Sequence, residues 1–136
     1  MVLALYEFYG EKCVDYLNGM FSFAIHDQFK SLLFVARDRF GEKPLYYYHS
    51  EEEFVFASEL KSLMSLDSSF KKISNTALQL YFSLSYIPAP HTIYDNVYKL
   101  EPATILVINI DTLEVVKNKY WDFTIDNKSE ELISNY

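Results

Sequence analysis

The sequence predicts an α+β fold of mainly antiparallel sheets with flanking helices, and three observations carry that prediction. Two short runs rich in strand formers, Leu32-Leu33-Phe34-Val35 and Leu45-Tyr46-Tyr47-Tyr48, flank a charged loop in which Gly41 and Pro44 mark a turn. Ahead of them, Val2, Leu3, Leu5, Tyr6 and Tyr9 recur at helical spacing, and helical periodicity returns after Ser58. Towards the end, Ile105-Leu106-Val107-Ile108-Asn109-Ile110 and Leu113-Glu114-Val115-Val116 read as a terminal hairpin across an Asp111-Thr112 turn.

The first helix has no Ser, Thr, Asp or Asn cap, and its apolar face begins at once, as if the chain were already under way at residue 1. Gly10 sits where a helix end favours a left-handed residue. Glu11 to Leu17 makes a short helical turn that stops at Asn18-Gly19, and Met20 to His26 is a nearly continuous apolar run, the pattern of a strand buried on both faces or close to it. Asp27 to Ser31 reverses the chain into Leu32–Arg37, which pairs back as a hairpin. The segment from Ala36 to Tyr48 reads as a hairpin-like unit with a charged tip, and Phe54 to Ala57 follows as a strand across the acidic stretch Ser50 to Glu53. Ser58 caps a helix carrying Leu60, Leu63 and Met64, with Glu59 in its first turn; Ser74-Asn75-Thr76 caps another, whose apolar side holds Ala77, Leu78, Leu80, Tyr81 and Leu84. Tyr86-Ile87-Pro88-Ala89-Pro90 ends it in an extended segment, and from Trp121 onward polarity rises as in a linker.

Composition narrows the function classes. With 136 residues and 50% hydrophobic content, the chain suits one domain or part of one with a true core. Twelve Lys and Arg against 19 Asp and Glu give a net charge of -7, which excludes a nucleic-acid surface. The single cysteine, Cys13, rules out an intrachain disulfide framework and makes a reducing, cytoplasmic setting the expectation. No apolar run approaches a membrane span, and Met1-Val2-Leu3-Ala4-Leu5 lacks the features of a signal peptide.

Chemistry is sparse. Cys13 has no nearby cation in sequence and reads as a packed thiol; His26, His49 and His91 have no partner at metal-ligand spacing, so no metal site is expected. No phosphate-binding glycine pattern occurs, and Tyr46, Tyr47 and Tyr48 alternate across a strand as packing residues. On residue types alone, Arg37, Asp38, Arg39, Glu42 and Lys43 form a solvated turn whose charges pair or face water.

Four motifs follow one another in register: Leu17-Asn18-Gly19-Met20-Phe21-Ser22-Phe23-Ala24-Ile25, Ala36-Arg37-Asp38-Arg39-Phe40-Gly41-Glu42-Lys43-Pro44-Leu45-Tyr46-Tyr47, Phe56-Ala57-Ser58-Glu59-Leu60-Lys61-Ser62-Leu63, and Tyr86-Ile87-Pro88-Ala89-Pro90-His91-Thr92-Ile93-Tyr94. In order and spacing they resemble the glutamine-hydrolysing asparagine synthetases, from residue 1 to about Asp122. The resemblance implies residues 1–122 as a partial class II glutamine amidotransferase domain, part of the αββα sandwich of an N-terminal-nucleophile hydrolase, and residues 123–136 as linker and start of a synthetase domain. In that family glutamine is hydrolysed to ammonia, which a synthetase domain uses with aspartate, ATP and magnesium to make asparagine, often in a homodimer. The family's nucleophilic N-terminal cysteine, glutamine-holding arginine and oxyanion pair have no counterpart here, so neither a catalytic nor a substrate-binding residue is assigned, no cofactor is expected in this chain, and the 136 residues alone are expected to be silent. The resemblance makes Met20, Glu42 and Lys43 candidates for an ammonia path or domain boundary, and Arg37, Asp38 and Gly41 candidates for bracing the motif loop. One departure is Ala103, where the family pattern Leu-x-Pro-Gly ends in glycine. Two alternatives stay open: another class II amidotransferase, and a non-catalytic partner-binding module, since an incomplete sandwich would expose sheet edges.

Overall fold

The computed structural model describes residues 1–66 and 68–123. Helix α1 (Val2–Tyr9) ends at Gly10, whose φ of 59° with ψ -134° is a conformation open to glycine but outside the left-handed helical cap expected there, and a 3-10 turn (Gly10–Tyr16) follows. Strands β1 (Ser22–Asp27), β2 (Leu32–Arg37), β3 (Tyr46–His49) and β4 (Phe54–Ala57) lead to helix α2 (Leu60–Leu66) and a second 3-10 turn (Ser68–Lys71). Helix α3 (Asn75–Leu84), β5 (Val97–Lys99), β6 (Thr104–Asn109) and β7 (Val115–Lys119) complete the order. The Ser74 hydroxyl accepts from the Ala77 amide at 3.3 Å and so caps α3.

Two antiparallel sheets form, ordered β1-β2-β6-β7 and β4-β3-β5. Period-two alternation decides how they stack. On β2, Phe34 and Ala36 face α1 and its 3-10 turn, where they join Tyr6, Cys13, Val14 and Ile25. Val35, on the opposite face, packs with Leu106 and Ile108 of the same sheet and with Leu45, Tyr47 and Leu100 from the other. Beyond the second sheet, Tyr46, Tyr48 and Val97 meet Leu63, Met64 and Phe70. The layers therefore run α, β, β, α. Phe34 lies under Tyr6 with ring centroids 5.3 Å apart, and burying such a ring contributes about 1.5–3 kcal/mol.

Several expectations from sequence are corrected. The segment around Arg37–Lys43 is no hairpin: β2 pairs with β1 and β6, β3 pairs with β4 and β5, and the loop carries the chain from one sheet to the other. The Met20–His26 strand starts at Ser22 and is the edge of its sheet, so it is only partly buried, and Met20 is exposed. Helix α2 starts at Leu60, with the Ser62 amide donating to the Glu59 carbonyl at 3.1 Å, so Glu59 precedes the helix that Ser58 was expected to cap. The terminal strand is shifted to Val115–Lys119 because Leu113, at φ 57°, belongs to the turn. Strand β5 was not anticipated. The linker expected over 123–136 lies, after Phe123, outside the described residues.

Candidate functional site

The loop between β2 and β3 is built by two buried charged side chains with complementary tasks. Asp38, 2% exposed, collects amides: Oδ1 accepts from Phe40 at 3.2 Å and Glu42 at 2.9 Å, and Oδ2 from Lys43 at 3.0 Å and Phe21 at 3.3 Å. Arg37, 3% exposed, collects carbonyls: Nε donates to Lys43 at 2.7 Å, and its two terminal nitrogens donate to Leu100 and Gly41. One residue answers the loop's donors and the other its acceptors, which is how a charged loop is buried without unpaired backbone groups. The solvated turn expected from residue types is thereby overturned for Arg37 and Asp38.

Burial alone would push the Asp38 carboxyl up, yet the amides of Lys43, Glu42, Phe21 and Phe40 outweigh it and hold the group below the usual carboxylate range. Burial draws the Arg37 guanidinium below its ordinary value against the opposing charge of Asp38. Gly41 has φ 66°, and a Cβ there would stand 2.9 Å from Pro102 Cγ and 3.0 Å from Arg37 Cζ, so both backbone geometry and room demand glycine.

The loop is tied to three other parts of the chain. Arg39 donates to the Leu17 carbonyl at 2.8 Å and to Asn18 Oδ1 at 3.1 Å. The Asp38 amide donates to the Phe21 carbonyl at 2.9 Å, which places Met20 beside the clamp through its chain neighbour. The Ala103 amide donates to the Asp38 carbonyl at 2.8 Å, and the Tyr120 hydroxyl donates to the Arg37 carbonyl at 2.8 Å. Glu42 and Lys43 are exposed and form no ion pair with each other. Beside the loop lies an open groove of about 530 Å³ whose walls include Phe40, Pro102, Trp121 and Phe123.

The participation of Phe21, Leu100, Ala103 and Tyr120 escaped sequence reasoning, because these partners lie 17 to 83 residues from the motif and no local spacing announces them. Ala103 carried the one available signal: it adopts φ 54°, the left-handed geometry suited to the glycine of the family pattern. Cys13 is fully buried in the core beside Val14, and burial followed by the nearby Asp15 charge raises its thiol. Among the described residues no cluster of three or more His, Cys, Asp or Glu could hold a metal ion, and no helix is long and apolar enough to cross a membrane. The loop is thus a braced platform that displays Glu42 and Lys43.

The chain thus stacks its elements α, β, β, α, with this clamp at the crossing between its two sheets. Residues 1–121 match the glutamine amidotransferase domain family, and the chain belongs to that family. Among its relatives are glutamine-hydrolysing asparagine synthetases. A Methanocaldococcus jannaschii protein, provisionally named asparagine synthetase [glutamine-hydrolyzing] 2, is 44% identical over 124 residues, covering 90% of this chain and 24% of the relative. Asparagine synthetase [glutamine-hydrolyzing] 3 of Bacillus subtilis is 35% identical over 123 residues, covering 90% of this chain and 20% of the relative. Asparagine synthetase [glutamine-hydrolyzing] 1 of Bacillus subtilis is 40% identical over 111 residues, covering 82% of this chain and 17% of the relative. The chain spans a quarter or less of the length of these relatives.

Proposed function

We propose that this chain is the part of a glutaminase domain that follows the nucleophile in an asparagine synthetase, and that the parent protein hydrolyses glutamine to supply ammonia for converting aspartate to asparagine. The observation that carries the reading is 44% identity across 90% of the chain to a relative named for that activity. The αββα layering supports it, as does Cys13, which is buried in the core and leaves the nucleophile to a region outside these residues. Aspartate, ATP and magnesium belong in this reading to the synthetase domain, and the parent works in the cytoplasm, as a homodimer. Met20, Glu42 and Lys43 lie on the side of the domain that ammonia passes or that the synthetase domain meets; Arg37, Asp38 and Gly41 hold that surface in place.

The test is the intact mass and N-terminal sequence of the native protein, with an assay for asparagine made from aspartate, ATP and glutamine. The reading expects a polypeptide several times heavier than 16.0 kDa that begins with cysteine and makes asparagine from glutamine. A native product of 16.0 kDa, or a larger one that uses glutamine for a different acceptor, overturns it.

A further inference from the structure

Tyr120 stands just after β7 and reaches the loop 83 residues earlier through its hydroxyl, while its amide holds Ala103, which is itself bonded to that loop. Its hydroxyl donates to the Arg37 carbonyl at 2.8 Å, and its amide donates to the Ala103 carbonyl at 2.8 Å. The Ala103 amide, in turn, donates to the Asp38 carbonyl at 2.8 Å. These three bonds close a ring through Arg37-Asp38, Ala103 and Tyr120, in which every link is main chain except the phenol. The next residue, Trp121, sets its indole edge-on against Phe40 with centroids 5.4 Å apart. The chain leaving β7 therefore grips the loop twice, at its first residue through the phenol and near its tip through Phe40.

We propose that Tyr120, together with Trp121 against Phe40, is a positioning pair that couples the Arg37–Lys43 loop to the chain leaving β7, so that displacement of that exit shifts Glu42 and Lys43. Resting on the function proposed above, the pair keeps ammonia release in step with ammonia use by the domain that the exit leads to. The chemistry suits a permanent link. Burial comes first among the influences that push the Tyr120 hydroxyl up to about 12, so it remains a donor through the physiological range. A phenylalanine ring would fill the same space, so the hydroxyl acts through the Arg37 carbonyl.

Two measurements separate this inference from the reading it rests on. In the parent protein, Tyr120→Phe should leave the rate of glutamine hydrolysis within about twofold of wild type while raising the glutamine hydrolysed per asparagine formed by about fivefold, the factor for one lost hydrogen bond. Phe40→Ala should move the same ratio in the same direction. In the native protein, Tyr120→Phe should also speed amide hydrogen exchange at Glu42 and Lys43 by about fivefold. A wild-type ratio that both variants preserve overturns the coupling role, and unchanged exchange at those amides overturns the link itself. Should the wild-type parent make no asparagine from glutamine, the proposed function is overturned, and the exchange result alone decides the link.

Discussion

In the Arg37–Lys43 loop, an arginine and an aspartate are 3% and 2% exposed, whereas in helix α3 Phe82 is 81% exposed and only Ala77 is buried. The distribution is the reverse of what residue types alone dictate, and the difference teaches what burial requires. A charge can be interior when each of its polar atoms has a partner, and Asp38 alone receives four amides. An apolar side chain stays outside when no described element packs against it. Among the described residues, α3 is held mainly at its start, through the Ser74 cap and the bond from the Ser74 amide to the Ile93 carbonyl at 3.0 Å.

The harshest way to break the contrast is Asp38→Ala. It strands four amides and leaves the buried Arg37 without the opposing charge that acts on it most, so the chain should lose about 3–5 kcal/mol in urea denaturation. Asp38→Asn, which keeps an acceptor oxygen, should lose clearly less. An Ala variant within about 1 kcal/mol of wild type would mean that the amides find water instead.

Backbone geometry sharpens the same contrast. Gly41→Ala should lose about 2 kcal/mol, because the left-handed φ disfavours a side chain and the new Cβ would press on Pro102 and Arg37. Ala103→Gly should go the other way. Relief of the left-handed alanine, about 1–2 kcal/mol, exceeds the roughly 0.8 kcal/mol given up with its buried methyl, for a small net gain. Thermal midpoints of the two variants, moving in opposite directions, are the check. At the mild end, Phe82→Ser in α3 should change unfolding free energy by less than about 0.5 kcal/mol, and a larger loss would show that the ring is packed in solution.

Much of the fold was legible because local patterns report local structure. The spacing of Val2, Leu5 and Tyr6 marks α1, and the acidic turn between Tyr48 and Phe54 marks the β3–β4 hairpin, both of which the structure contains. Partner choice was not legible. Gly41 and Pro44 signal that the chain turns, but they carry no information on which strand β2 or β3 will pair with, and the two join different sheets. Strand β5 is three residues long and follows Asn96 at φ 59°, too short and too close to a turn to show a period. The motif Ala36–Tyr48 drew attention to the loop, yet the burial of its charges depends on Leu100, Ala103 and Tyr120, which only the closed fold brings near.

The most direct test of this clamp is the titration of the Asp38 side-chain carboxyl by carbon-detected NMR. Four amide donors predict a midpoint below about 3.9, the ordinary value for an unfolded aspartate. Since the unfolded carboxylate then takes up its proton at higher pH than the folded one, stability supplied by Asp38 is complete above about 3.9 and is lost as pH falls through the folded midpoint. The Glu42 and Lys43 amide resonances should shift with that same midpoint, because they donate to the titrating oxygens. A midpoint at or above about 3.9, with those amides indifferent to it, would contradict the account.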